Sequence, residues 1–445
     1  MTPDAHWLRC EGCSATYPDD GLRLTCDQAH EPALLTSRYR EAAFVLDGEA
    51  SGLFRYRSWL PCSGPVDGEG APATVTYRSE DLNRALRLPN LWIAFNGFWP
   101  ERGAACETAT FKDLEASAVL ARLPAGSDRI LVVASAGNTA AAFARACSRE
   151  LVACVIVLPE SGLPALALAS PLDPCVRLVA LGRGCDYTDA IRLADHLADT
   201  PGFLAEGGTK NVGRRDALGT VLLNAVETIG ELPRDYFQAV GSGAGGIAAY
   251  EAAIRLVADG RFGRRLPRLM LSQNLPFAPI AASWRRRQRT LAELPDAKAR
   301  LGRIKATALS NRQPAYSPAG GLFDALKATG GEMLGVHNHE LDSAARLFRE
   351  TEGIDVEPES AVALASLIKA RAEGRVDGRS SILLNVTGGG RSRRIDDGGG
   401  PPVRADLELG EADLELDGAR ELVLSLFGDG LPTPNGRSTE GAATP

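Results

Sequence analysis

From Arg129 onward, apolar residues fall into short continuous runs that alternate with alanine-rich or amphipathic stretches. Arg129 to Ala134, Leu151 to Leu158 and Arg177 to Ala180 read as strands, since each is short, rich in Val, Ile or Leu, and closed by small residues or proline. Helices are expected between them, from Ala140 to Ser148 and from about Tyr187 to Ala198. The alternation returns downstream, with strands at Tyr236 to Val240, Arg268 to Leu275 and Ser381 to Val386. Helices are expected from Ile247 to Ala258 and in an alanine-rich run ending near Ala372. Strands that alternate with helices predict parallel sheets with binding loops at the strand C-termini. Upstream, Asn90 to Phe95 reads as one more strand and Ala116 to Leu123 as a small-residue helix.

The two ends of the chain break this pattern. Leu34 to Arg102 carries ten scattered aromatics, among them Phe44, Phe54, Trp59, Phe95 and Trp99, which suit core packing. Past Arg391 the composition turns to Gly, Pro and Asp and predicts a linker. Ala405 to Leu416 is a short acidic repeat with alternating apolar positions, read as a hairpin, and a disordered end is expected from Leu431.

Composition narrows the function classes. With 445 residues, 44% hydrophobic content and a formal charge of −7, the chain has ample core and no basic excess for nucleic acid. No apolar run approaches the ~20 residues of a membrane span, and Met1 to Trp7 lacks the apolar stretch of a signal peptide. A cytoplasmic protein is expected, with no nucleic-acid or membrane partner. Cysteines within apolar strands, such as Cys147, Cys154 and Cys175, read as reduced core thiols.

The first candidate chemistry lies at the N-terminus. Cys10 and Cys13 are followed, after twelve residues, by Cys26 and His30, two ligand pairs at knuckle-like spacing. Three thiolates and one imidazole match closed tetrahedral zinc, which holds together segments too small for their own core. Structural zinc and a metal-free remnant both stay open on spacing alone.

Five further stretches carry candidate chemistry. Thr110-Phe-Lys-Asp113 places Lys112 at a helix start, where the dipole disfavours the ammonium and a neutral amine can form a Schiff base; a solvated lysine is the bland alternative. Ser135-Ala-Gly-Asn-Thr139 sits at a strand-to-helix junction whose N–H groups suit an anion, or simply cap the helix. Lys210, Arg214 and Arg215 gather positive charge in what reads as a glycine-broken loop before a helix, suited to an oxyanion or to solvent. Gly241-Ser-Gly-Ala-Gly-Gly246 follows a strand and opens a helix, as a phosphate cradle does. A dinucleotide fold would need an acidic residue at the end of the next strand, but that strand ends Gln273-Asn274-Leu275, so a single phosphate fits better. Finally Thr387-Gly-Gly-Gly390 closes the last apolar strand with a hydroxyl able to meet a pyridine nitrogen.

In this order, these motifs together with Val356-Glu-Pro-Glu-Ser-Ala361 resemble the fold-type II pyridoxal-phosphate enzymes, in their threonine synthase branch. Gly52 to Pro61, Phe95 to Ala104, Val132 to Ala144, Ala205 to Thr220, Tyr236 to Ala252 and Leu271 to Pro279 look most like the cysteate synthases of that branch. The resemblance runs from the knuckle to about Gly390. Threonine synthases usually place an arginine two residues after the lysine, whereas this chain has Leu114, which puts that specificity in doubt.

The resemblance implies a tryptophan synthase β-like α/β fold with two doubly wound sheets behind the Cys/His knuckle. It implies a knuckle at 1–33, a large cofactor domain at 34–115 and 205–395, a small mobile domain at 116–204 and an acidic tail at 396–445. It assigns the Schiff base to Lys112, the ring oxygen of pyridoxal 5'-phosphate to Asn138, its phosphate to Gly241, Ser242, Gly243, Ala244, Gly245 and Gly246, and its pyridine nitrogen to Thr387. Ser135, Gly137 and Thr139 would bind the substrate carboxylate, with Lys210, Arg214 and Arg215 as candidate oxyanion ligands. The implied reaction turns O-phospho-L-serine and sulfite into L-cysteate and phosphate through an aminoacrylate, serving coenzyme M or another sulfonate. Threonine synthase or another β-replacement enzyme of this fold is the alternative. A homodimer is expected.

Overall fold

The computed structural model describes residues 5–63, 70–135, 137–166, 171–182, 184–185, 187–396, 403–410, 413 and 416–427. Two compact units emerge, one of Met1–Arg122 with Gly207–Gly398, the other of Leu123–Glu206 with Gly399–Pro445. The helix that starts at Lys112 therefore stays with the first unit, and the acidic C-terminal segment joins the second.

The first unit is built on a six-stranded sheet in the order Glu332–Val336, Arg268–Asn274, Asp235–Ala239, Ile382–Val386, Leu91–Phe95 and Val75–Arg78. Neighbours are parallel except the last pair, which is antiparallel. Successive side chains point to opposite faces. Tyr236 and Leu383 join the core under the helices Val212–Ile229 and Ala244–Asp259, while Phe237 and Leu384 join the core under Pro358–Ala372. Burial on both faces explains why these strands read as continuous apolar runs.

A small antiparallel sheet of Thr16–Pro18, His6–Cys10 and Leu35–Tyr39 precedes it. Its Leu8, Cys10 and Leu35 pack on Val212, so the knuckle leans on the first turn of the Val212–Ile229 helix.

The second unit holds a parallel sheet in the order Phe203–Ala205, Ile130–Ala134, Cys154–Pro159, Val176–Leu181 and Leu407–Leu409. The described part of the acidic repeat departs from the expected hairpin. Leu407–Leu409 pairs in parallel with Val176–Leu181, and Leu416–Ser425 is a helix whose Ala419 and Val423 enter the same core. The alternating pattern marked a genuine strand, but its partner lies far away in sequence. The end expected to be disordered from Leu431 falls outside the described residues. Among the described residues no helix is long and apolar enough to cross a membrane.

Candidate active site

Lys112 opens the helix Lys112–Arg122, four residues earlier than the apolar pattern alone predicts. The turn before it is fixed by polar contacts. The Asp113 carboxylate accepts from the Thr108 N–H at 2.9 Å and from the Thr108 hydroxyl at 2.7 Å. Ala109 takes a left-handed φ of 57°, costly for a residue with a Cβ and held by flanking bonds. Its carbonyl accepts from Gly389 N at 3.0 Å, and Phe111 N donates to the Thr387 carbonyl at 2.9 Å. The entry to the lysine helix is thus stitched to the end of the strand Ile382–Val386.

Thr387 follows that strand directly and is buried. Ser360 Oγ donates to the Gly388 carbonyl at 2.8 Å and accepts from Gly388 N at 3.0 Å, leaving Thr387 Oγ1 as a neighbour at 3.4 Å. The loop packs closely on the end of the neighbouring strand, since a Cβ at Gly97 would fall 2.2 Å from the Gly389 carbonyl oxygen. Only glycine allows the two strand ends to approach so closely.

The strand Asp235–Ala239 runs parallel to Ile382–Val386, so its exit loop emerges at the same sheet edge. Gly241 and Ser242 lead to Gly243, which takes φ 91° before the helix Ala244–Asp259. The first-turn N–H groups of Ala244, Gly245 and Gly246 have no carbonyl partner in their own helix and carry its positive dipole end. A Cβ at Gly241 would lie 2.8 Å from the Ala308 carbonyl oxygen, and one at Gly245 would lie 2.1 Å from Gln238 Nε2. Phe111 packs against Ala244 and Ala248, joining the lysine turn to the cradle helix.

Beneath these loops lies a buried polar chain that the sequence analysis missed. Thr74 Oγ1 donates to Asn96 Oδ1 at 2.6 Å, and Asn96 Nδ2 to Asn385 Oδ1 at 2.7 Å. Asn385 Nδ2 reaches both the Tyr236 hydroxyl at 2.7 Å and Gln238 Oε1 at 2.9 Å. The signal was present, since Asn96, Gln238 and Asn385 interrupt or close apolar runs where a polar residue requires a partner. A cavity of about 360 Å3 lies behind the lysine helix, lined in part by Arg55, Tyr56, Leu114 and Glu227. Its charged groups already satisfy one another, with Arg55 Nη2 and the Tyr56 hydroxyl each 2.7 Å from Glu227 oxygens.

The basic residues are not a single cluster. Arg215 is fully buried, its guanidinium donating to Glu251 at 3.1 Å and to the carbonyls of Thr209 and Leu35. It is therefore not placed to receive an oxyanion; its job is to join the Val212–Ile229 helix to the knuckle sheet and the Ala244–Asp259 helix. Lys210 ends the short turn Gly208–Lys210 and is exposed. Arg214 lies 3.1 Å from Glu115 Oε2, and Lys112 Nζ lies 2.6 Å from Glu115 Oε1.

In the second unit Ser135, Gly137, Asn138 and Thr139 connect the strand Ile130–Ala134 to the helix Asn138–Glu150, with Ser135 Oγ accepting from Gly137 N at 3.3 Å. In the knuckle the donor atoms of Cys10, Cys13, Cys26 and His30 all lie within 4.8 Å of one another. Gly12 N and Gln28 N donate to the sulfurs of Cys10 and Cys26 at 3.3 and 3.4 Å. The Tyr17 hydroxyl, 3.1 Å from Cys26 Sγ, is the main influence that brings that thiol down to about 6.

Residues 86–388 match the family model described as pyridoxal-phosphate dependent enzyme. The chain is 45% identical over 393 residues to a cysteate synthase from Methanosarcina barkeri, covering 88% of this chain and 93% of that protein. It is 47% identical over 379 residues to another from Methanocorpusculum labreanum, covering 84% and 90%. The chain belongs to the cysteate synthase family of pyridoxal-phosphate-dependent enzymes. Solved structures share the fold at low identity. A threonine deaminase isoform 2 from Solanum lycopersicum gives a TM-score of 0.57 at 17% identity, covering 82% of this chain and 95% of that one. A maize serine racemase gives 0.54 at 16%, covering 72% and 89%.

The residues of the first unit fit the cofactor of this family. Pyridoxal phosphate needs an amine for its aldehyde, a partner for its ring nitrogen and donors for its phosphate. Lys112 would supply the first, the Thr387 hydroxyl beside it the second, and the glycine-lined helix N-terminus at the same sheet edge the third.

Proposed function

We propose that the enzyme converts O-phospho-L-serine and sulfite into L-cysteate and inorganic phosphate. The observation that carries this reading is the juxtaposition of Lys112 and Thr387 through the Phe111 N to Thr387 carbonyl bond, in a chain of the cysteate synthase family. Bound pyridoxal phosphate supplies an electron sink that acidifies the substrate Cα–H and allows the β-substituent to leave.

The protein's own residues supply the rest. Lys112 tethers the cofactor and, when free, its Nζ takes the Cα proton as general base. The Thr387 hydroxyl would serve the ring nitrogen, Gly241 to Gly246 would hold the phosphate, and Asn138 would serve the ring oxygen. The substrate carboxylate is assigned to the Ser135–Thr139 turn, in keeping with its place at a helix N-terminus. Leaving phosphate and entering sulfite are both small oxyanions, which suits a shared basic subsite of Arg214 with Lys210. The reading includes a cytoplasmic homodimer and one structural zinc held by Cys10, Cys13, Cys26 and His30.

Product analysis tests the reaction. Phosphoserine and sulfite should yield cysteate and one phosphate, identified by mass spectrometry. Turnover of phosphohomoserine to threonine, with none of phosphoserine, would overturn the proposal in favour of threonine synthesis.

A further inference from the structure

Glu115 is a carboxylate with no exposed surface, one helical turn after Lys112. A buried anion persists only when cations or donors compensate it. Here two do. Lys112 Nζ is 2.6 Å from Oε1, and Arg214 Nη1, from the first turn of the Val212–Ile229 helix, is 3.1 Å from Oε2. The Arg214 approach is a charge contact without hydrogen-bond alignment. Glu115 and Arg214 both stand in the first turns of their helices, where the dipole is positive.

Three other carboxylates have partners of their own. Asp113 faces Thr108, Glu357 beside Gly388 pairs with Arg391 at 2.7 Å, and Asp216 pairs with Arg255 at 2.7 Å. The Phe111 ring lies 4.9 Å from Lys112 Nζ and adds a weak cation contact. Lys112 and Arg214 thus both stand against the buried Glu115 carboxylate. Bonding Nζ to a cofactor would leave Arg214 against Glu115, and a free protonated lysine would bring a second positive charge to the carboxylate.

We propose that Glu115 is the counter-ion to which the Lys112 ammonium returns whenever its nitrogen is not bonded to the cofactor, with Arg214 holding the carboxylate in place. The inference rests on the reading of Lys112 as the cofactor-bearing lysine. Cofactor capture then requires the ammonium to leave Glu115 and shed one proton to solvent. The nitrogen lone pair bonds to the aldehyde carbon, and the aldehyde oxygen departs as water. Glu115 therefore competes with the cofactor for Lys112, while keeping its nitrogen within reach.

The test follows cofactor capture by the full-length, cofactor-stripped enzyme. The rate of growth of the violet band of the lysine adduct is measured against pH after adding pyridoxal phosphate. Glu115→Gln removes the anion, so the pH of half-maximal capture should fall by about one unit or more. Glu115→Asp keeps the charge and should lie nearer the parent than Glu115→Gln. Arg214→Gln leaves Lys112 as the chief partner of Glu115 and should move the midpoint upward. A purely structural role for Glu115 would not give opposite signs.

A folded Glu115→Gln variant with the parent midpoint overturns the proposal. Should that variant not fold by circular dichroism, Arg214→Gln decides, and an unmoved or lowered midpoint overturns it. If the unsubstituted enzyme shows no violet band, or borohydride fixes the cofactor on another lysine, the Lys112 reading itself fails instead.

Discussion

Asp19 of the knuckle and Arg122 at the end of the lysine helix form a two-point ion pair, with Arg122 Nη2 2.7 Å from Oδ1 and Nε 3.0 Å from Oδ2. Both side chains are 1% exposed. Arg122 Nη1 also donates at 3.1 Å to Asn211 Oδ1, which caps the Val212–Ile229 helix by accepting from Gly213 N. One guanidinium therefore joins the knuckle, the helix bearing Lys112 and the helix bearing Arg214.

Removing one partner of such a pair strands a buried charge, at a cost of about 3–5 kcal/mol. Asp19→Asn should lower the melting temperature clearly, and a paired Asp19→Leu/Arg122→Met variant should lose less than the sum of its single changes. The acid side of the stability profile should report the same carboxylate. Burial would push Asp19 up, but hydrogen bonds from His6 and Arg122 outweigh it and hold it well below the usual carboxylate range. A depressed carboxyl stabilises the fold above its unfolded value and loses that contribution as pH falls through the folded one. The gap between parent and Asp19→Asn should thus be constant near neutrality and close progressively below about pH 5.

Lys112→Ala should abolish turnover and the violet absorbance while leaving the far-ultraviolet circular dichroism unchanged. In the parent, borohydride reduction followed by peptide mapping should place the pyridoxyl group on Lys112. Label on a different lysine would refute the assignment.

The two neighbouring arginines should separate cleanly. Arg214→Gln should weaken the apparent affinity for phosphoserine or sulfite roughly 10- to 150-fold, the loss of ~1.5–3 kcal/mol from a charged hydrogen bond. Arg215→Gln should instead lower thermal stability, because burial already pushes Glu251 up and the change leaves it uncompensated. Equal kinetic effects from both, with no loss of stability in Arg215→Gln, would contradict the division.

Purified enzyme should contain about one zinc per chain by elemental analysis. Its removal by a chelator should lower the melting temperature, since a closed four-ligand site adds its binding energy to folding. A metal-free preparation that melts at the same temperature would count against the site.

Much of this was legible in the sequence, and the failures have physical causes. Doubly buried strands announce themselves as apolar runs, so Ile130–Ala134 and Ile382–Val386 fell within a residue of expectation. Glycines forced by close backbone approach, such as Gly241, were visible for the same reason. Arg215 misled because a sequence shows charge but not where a side chain is buried or what already satisfies it. The Asn96–Asn385–Gln238 chain escaped because its bonded members are separated by 289 and 147 residues and meet only across the sheet. Leu407–Leu409 escaped for a related reason, as a three-residue strand carries little pattern without its partner.

That late strand bears on how the protein is made. The second unit's Val176–Leu181 stays without its outer neighbour until Leu407–Leu409 has been synthesised, after the whole of the first unit. During translation an apolar parallel sheet would wait with one open edge, a template for wrong pairing. The helix Leu416–Ser425 follows within a few residues and covers the same core. Ribosome-bound chains stalled with Gly398 just clear of the exit tunnel should therefore be protease-resistant in the first unit and sensitive from Leu123 to Glu206.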